Sequence, residues 1–271
     1  MNDIELVNHL NDRLYDIYVE KGLTSLRGFD DDEANWFIFQ GVDLHRKYMD
    51  SVEATVKFDR FAIWDDLVDL SDQIMYFTSE LYLVTPFINN PLRHVVQPDG
   101  YPRPIYCNYE NLSAKRYNSF SDIVAEKFYA YWNRLATLLN HYLPKPLNPK
   151  HVNFSAVIDE ITRQLPGFHQ NTGYIWLQAF KENEQKHLNK QRSTIVHHET
   201  TSTTFREQHR LNVHDAAALT VIMEERYSRP DFYKEHIEFS LTALKSALDL
   251  IAEIDPVVPE PMAPATEEAA A

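Results

Sequence analysis

Apolar residues recur along this chain at steps of three and four, the period of one helix face. Val7, Leu10, Leu14 and Ile17 form one such stripe, and Leu67, Leu70, Ile74, Phe77, Leu81 and Val84 form a second. Val124, Phe128, Tyr131, Leu135, Leu138 and Tyr142 make a third, and Ile237, Leu241, Leu244, Leu248 and Ile251 a fourth. Each stripe must be covered, and helices of this length cover one another as a bundle. Residues 33–57 read as a further helix, with Ile38, Val42, Met49 and Val52 inward and His45 in the same row. Residues 172–198 read as helical with a polar middle relieved only by Leu188. A short helix over 214–227 precedes Pro230, which suits the first turn of the last helix. No stretch sustains the alternation of a half-buried strand. The expectation is an all-α fold, an antiparallel helical bundle.

Two stretches interrupt the pattern. Residues 85–119 carry Pro86, Pro91, Pro98, Pro102 and Pro104, which exclude regular helix over most of a long connection. The end of the chain, PVVPEPMAPATEEAAA, is low in complexity and reads as a disordered tail. The organisation expected is N-terminal helices over 1–84, a Pro-rich irregular connection over 85–119, a helical bundle over 120–254 and a tail over 255–271.

Composition narrows the function. Six glycines in 271 residues fit neither GxGxxG nor GxxxxGK[ST], so the common nucleotide-binding loops are absent. A single cysteine, Cys107, excludes an intrachain disulfide framework and a thiolate-rich zinc site. No apolar run approaches the roughly 18 residues of a membrane span. The acidic start, MNDIELVNHLNDRL, lacks the layout of a signal peptide, which points to the cytoplasm. The net charge of -14 argues against nonspecific binding of nucleic acid or membrane across the whole surface. The excess is uneven: residues 1–75 hold 17 acidic and 7 basic side chains, whereas 181–215 hold 6 basic, 5 acidic and 5 of the 12 histidines. An anion would find the second region.

That region contains KHLNKQRSTIVHHETTSTTF. Arg192 is followed by His197, with His198 beside it, and the run from Glu199 to Thr204 is poor in helix formers, which predicts a helix end there. The dipole at a helix C-terminus favours an imidazolium. An imidazole that moves a proton beside a guanidinium that holds phosphate oxygens is a unit for phosphodiester chemistry. A five-residue step rotates about 140° along a straight helix, so convergence needs a helix end, a distortion or a second subunit.

The string RSTIVHH, late in an acidic helical chain, resembles the signature of the HEPN superfamily (higher eukaryotes and prokaryotes nucleotide-binding domains): an arginine, four to six residues, then a histidine. The family arginine falls on Arg192, its histidine on His197, and the polar position after the arginine on Ser193, where Asn, Asp or His is more usual. The resemblance implies an all-α bundle of four to five helices over about the last 150 residues, with 120–254 as the HEPN-like part. It also implies metal-independent endoribonuclease activity in a defence or toxin–antitoxin setting, with no cofactor and with RNA as substrate. A homodimer whose two motifs meet is implied as well, as is a protein antitoxin or inhibitor as partner. Arg192 and His197 are the catalytic candidates, with Ser193 and His198 secondary. Noncatalytic HEPN domains exist, so a helical binding or scaffold protein is the alternative.

Other constellations carry less. Glu184 and His187 form one Glu-x-x-His pair, but a di-iron bundle needs a second pair, and no other is present. A charged helix face explains them. His209, His214 and Asp215 match no standard zinc spacing, and Asp215 before an alanine-rich run is a helix cap. His45 reads as a core residue, and no metal site is assigned. Tyr101, Tyr106 and Tyr109, with Arg103, Lys115 and Arg116 nearby, could line a ligand groove in the Pro-rich connection.

Overall fold

The computed structural model describes residues 2–27, 38–52, 58–188 and 200–254. Besides a helical stretch at 184–188, they hold eight α-helices: α1 (Asp3–Lys21), α2 (Leu44–Ser51), α3 (Arg60–Val84), α4 (Leu112–Asn140), α5 (Phe154–Gln164), α6 (Thr172–Glu182), α7 (Thr201–Leu211) and α8 (Ala216–Ile251). The strands are two antiparallel pairs of two residues each, β1 (Ile38–Phe39) with β2 (Val42–Asp43) and β3 (Val95–Val96) with β4 (Ile105–Tyr106). The fold is all-α. No helix among the described residues is long and apolar enough to cross a membrane.

The helices start where short polar side chains can take free amide donors. Asn2, Asp43, Asp59, Asn111, Asn153, Asn171, Thr200 and Asp215 each cap the helix that follows. The centre is built on α4. Its start meets the end of α3 at Phe77–Phe120, and its end meets the start of α3 through the Asp66–Arg134 ion pair, so these two run antiparallel. Helix α8 runs in the same direction as α4, and three buried tyrosines set the register. Tyr117 donates to the Arg226 carbonyl at 2.7 Å, Tyr233 to Ser121 at 3.0 Å and Tyr131 to Ser240 at 3.0 Å. A buried phenol is costly unless bonded, so each contact both stabilises and specifies the pairing.

On the other side of α8, α6 crosses closely. A Cβ at Gly173 would collide with the Ser246 carbonyl oxygen, which is why the position is glycine. Trp132 stacks on Phe180 at 4.2 Å and meets Phe154 edge-on at 4.8 Å, joining α4, α5 and α6. His236 sits in the same aromatic layer, against Phe232 at 4.3 Å, Phe239 at 5.4 Å and Phe128 at 5.8 Å.

His236 is 1% exposed, and its Nδ1 has no hydrogen-bond partner. Burial, with a smaller contribution from His187, pulls this imidazole down to about 4. Its unfolded value is near 6.5. Between these values the unfolded chain takes a proton that the folded protein refuses, so stability falls as pH drops from about 6.5 to about 4 and then levels. Two to three units correspond to about 3 kcal/mol. Urea unfolding of wild type and His236→Phe should show this: the variant lacks that part of the acid loss, while the two respond alike to pH above 7.

Several boundaries depart from the sequence pattern. Residues 38–43 are a hairpin turning at Gln40 and Gly41, both with positive φ, so the expected helix over 33–57 is confined to Leu44–Ser51 in the described part. His45 packs its ring 5.2 Å from Trp64. The first stripe is only half covered: Leu14 and Ile17 are buried, while Val7 and Leu10 are 54% and 40% exposed. Helix α4 starts at Leu112, so irregular chain ends at Asn111. Helix α6 stops at Glu182 and residues 184–188 are again helical, in place of one unbroken element.

Pro230 does not open the last helix but lies inside α8, buried. A proline there removes the bond to the carbonyl four residues back, which belongs to Arg226. The Tyr117 hydroxyl supplies the missing donor, and this contact lets 214–227 and the last helix become one element. Residues 189–199 and the expected tail over 255–271 lie outside the described residues.

Candidate functional site

Arg192, Ser193, His197 and His198 all lie outside the described residues. What the structure gives is the frame on both sides of their segment. Before it, Leu188 is buried in the core. After it comes the first turn of α7, and covalent geometry limits the four residues from His197 to Thr201 to about 14 Å.

The run Thr200–Thr204, poor in helix propensity, begins a helix. Thr200 is the N-cap, its hydroxyl accepting from the Thr203 amide at 3.3 Å. Low propensity inside a helix and high preference at its cap share one cause, the short hydroxyl side chain that competes for backbone donors. Two polar relays then hold this turn, one to Asp122 of α4 and Arg229 of α8, the other from Arg206 of α7 to Glu110, just before α4. Arg229 donates to the Thr201 hydroxyl at 3.4 Å, and that hydroxyl donates to Asp122 at 2.5 Å, with the Thr201 amide on the same carboxylate oxygen at 3.1 Å. Arg206 donates to the Ser202 hydroxyl at 2.9 Å, which donates to Glu110 at 3.2 Å. Asn118 links Glu110 to Arg226, donating to the first and accepting from the second, each at 3.2 Å.

Asp122→Ala removes the acceptor of one helix-start amide and of the Thr201 hydroxyl together. The expected cost is about 1–2 kcal/mol, with faster amide exchange in the first turn of α7 than in α4. Hydrogen exchange with urea unfolding reads both.

The far end of α7 is pinned to the β3–β4 hairpin. The His209 ring bonds to the Tyr106 carbonyl at 2.7 Å and the His214 ring to the Pro104 carbonyl at 2.9 Å. The two histidines thus serve the backbone separately, and Asp215 caps α8. Among the described residues no group of His, Cys, Asp and Glu could hold a metal ion. Of the aromatic groove expected in the connection, Tyr106 and Arg103 line an open cavity of about 590 Å³ with Asn212, His214 and Asp215. Tyr101 and Tyr109 are exposed, and Tyr109 instead meets His94 edge-on.

A family model described as HEPN_Cthe2314-like HEPN matches residues 107–252, more than half of the chain. The chain belongs to this HEPN family. Its HEPN region takes in α4 to α8, and the matched span includes Arg192, Ser193, His197 and His198. Neither curated proteins nor solved structures gave a match. Within the HEPN region, sequence reasoning passed over Glu110, Asp122, Arg226 and Arg229. One signal was there: Leu219, Met223, Arg226, Pro230, Tyr233 and Ile237 step by three and four, and a cation interrupts an otherwise apolar row.

Proposed function

We propose that this protein is a metal-independent endoribonuclease in which Arg192 and His197 act on one phosphodiester. The observation that carries the reading is the motif Arg192-Ser-Thr-Ile-Val-His197 inside a span matched by a HEPN family model. Its setting supports the reading: the segment leads straight into a turn held by two arginine–hydroxyl–carboxylate relays.

The chemistry follows from the side chains. His197 takes the proton of a 2′-OH as that oxygen attacks the adjacent phosphorus, or returns a proton to the departing 5′-oxygen. Arg192 faces the developing charge on the phosphate oxygens. The products are a 2′,3′-cyclic phosphate and a 5′-OH. Ser193 and His198 are secondary candidates that orient the pair. A homodimer that brings two motifs together, cytoplasmic action and control by a protein inhibitor belong to the same proposal. The test is incubation with structured RNA in EDTA. RNA is cut, DNA of the same sequence is spared because it lacks the 2′-OH, and inert wild-type protein points instead to a noncatalytic HEPN binding module.

A further inference from the structure

Helix α1 is buried only in its second half. Leu14 and Ile17 are covered, whereas every residue from 2 to 13 is exposed. The uncovered part is not polar. Ile4 and Leu6 are 73% and 52% exposed, beside the exposed Val7 and Leu10, and at about 3.6 residues per turn all four share the side of the helix that carries Leu14 and Ile17. One apolar face therefore runs along α1, and the rest of this chain covers half of it. Single apolar side chains on a surface are ordinary, but four adjoining ones at helical spacing mark a contact. Local devices shape this stretch: the Asn2–Glu5 capping box, and Arg13 paired with Asp16 at 3.4 Å and Glu20 at 3.2 Å. None of them covers the face.

The charge pattern says what fits there. Glu5, Asp12, Asp16 and Glu20 fall on the opposite side of the helix, and Asn8, Asn11 and Arg13 border the apolar face. A basic partner would find no acid along these margins. Asp3 is the one acid on the apolar side. An antiparallel second α1, centred between residues 7 and 10, sets Val7 against Leu10 in both directions. It also brings each Asp3 within one residue of the level of the other copy's Arg13. The remaining acids then lie on the two outer sides, about 20 Å apart across two helix diameters. That exceeds the roughly 8 Å over which exposed charges act at physiological salt.

We propose that α1 is a self-association face, through which two copies of this chain pair by Ile4, Leu6, Val7 and Leu10 of antiparallel helices. Four side chains fall short of the roughly 800 Å² per partner of a standard interface, so the pairing is reversible and follows concentration. Helix α1 lies outside the span of the family match, and the proposal does not depend on the ribonuclease reading.

The test is sedimentation equilibrium of the full-length protein from micromolar to millimolar concentration, with hydrogen exchange of residues 3–13 at both ends of the series. Wild type gains mass with concentration, and exchange in 3–13 slows in step. Val7→Glu with Leu10→Glu puts like charges across the pair, which weakens this association about tenfold or more and leaves exchange fast throughout. Both positions are exposed, so the melting temperature at low concentration stays at the wild-type value. Val7→Lys with Leu10→Glu in one chain sets opposite charges across the pair and recovers part of the association. Wild type with no concentration dependence overturns the proposal, as does an unchanged association constant in the double glutamate variant. Slow exchange in 3–13 at the mass of a single chain also overturns it, since the chain then covers its own face. Absence of recovery in the Lys–Glu variant overturns the antiparallel pairing. RNA cleavage by the unpaired variant leaves the ribonuclease reading untouched by any of these results.

Discussion

Under the proposed ribonuclease reading, replacing His197 by alanine is expected to lower RNA cleavage by a factor of about 10² to 10⁴, the range over which a positioned acid or base accelerates proton transfer. Arg192→Ala is expected to lose at least as much: in the proposed mechanism the guanidinium would meet charge that grows only toward the transition state, so kcat should fall more than KM rises. Adding zinc or magnesium restores neither variant. Ser193→Ala, by contrast, falls less than tenfold if the serine only orients its neighbours. Single-turnover cleavage of an end-labelled hairpin RNA in EDTA gives these numbers. Equal rates for wild type and His197→Ala would remove the histidine from the chemistry.

Trp132→Ala is the substitution with the largest expected effect on stability. Trp132 is 2% exposed and lies between Phe154 and Phe180, so its removal opens a cavity where α4, α5 and α6 meet. Its Nε1 has no hydrogen-bond partner, so the loss is one of packing. Phe/Trp→Ala changes in cores cost about 3–5 kcal/mol, against a total of about 5–15 kcal/mol for a domain. Urea unfolding should show a lower midpoint, largely recovered in Trp132→Phe, which keeps the ring stack. A loss below about 1 kcal/mol would mean that these three helices do not pack around the indole.

The stripes read most clearly in the sequence are those of α3, α4 and α8, because long helices repeat a core contact every turn and the period accumulates. Short elements gave no such sum. Helix α5 has only Val157, Ile158 and Ile161 beyond its first residue to mark its face, and α7 opens with threonines whose propensity argues against helix while their capping argues for a helix start. Pro230 looked like a boundary because the compensating donor, Tyr117, lies more than a hundred residues away. The hairpin at 38–43 depended on two positive φ angles, which hydropathy does not encode.

The candidate site divides along the same line. Arg192 and His197 stand out by local spacing and lie in the span that the family model matches, which assigns them no role. Asp122, Arg226 and Arg229 act on Thr201 and Phe205 across tertiary contacts between α4, α7 and α8. Only the interruption of an apolar row by Arg226 hinted at them. A charge on a core face announces that something must compensate it, without naming the partner.

In the proposed chemistry an imidazole and a guanidinium of this chain convert one RNA phosphodiester to a cyclic ester without metal. Mass analysis of the new ends after cleavage in EDTA tests it most directly. Wild type should leave a 2′,3′-cyclic phosphate and a 5′-OH, and His197→Ala neither. Ends bearing a 5′-phosphate and a 3′-OH, or cutting that requires an added divalent ion, would contradict it.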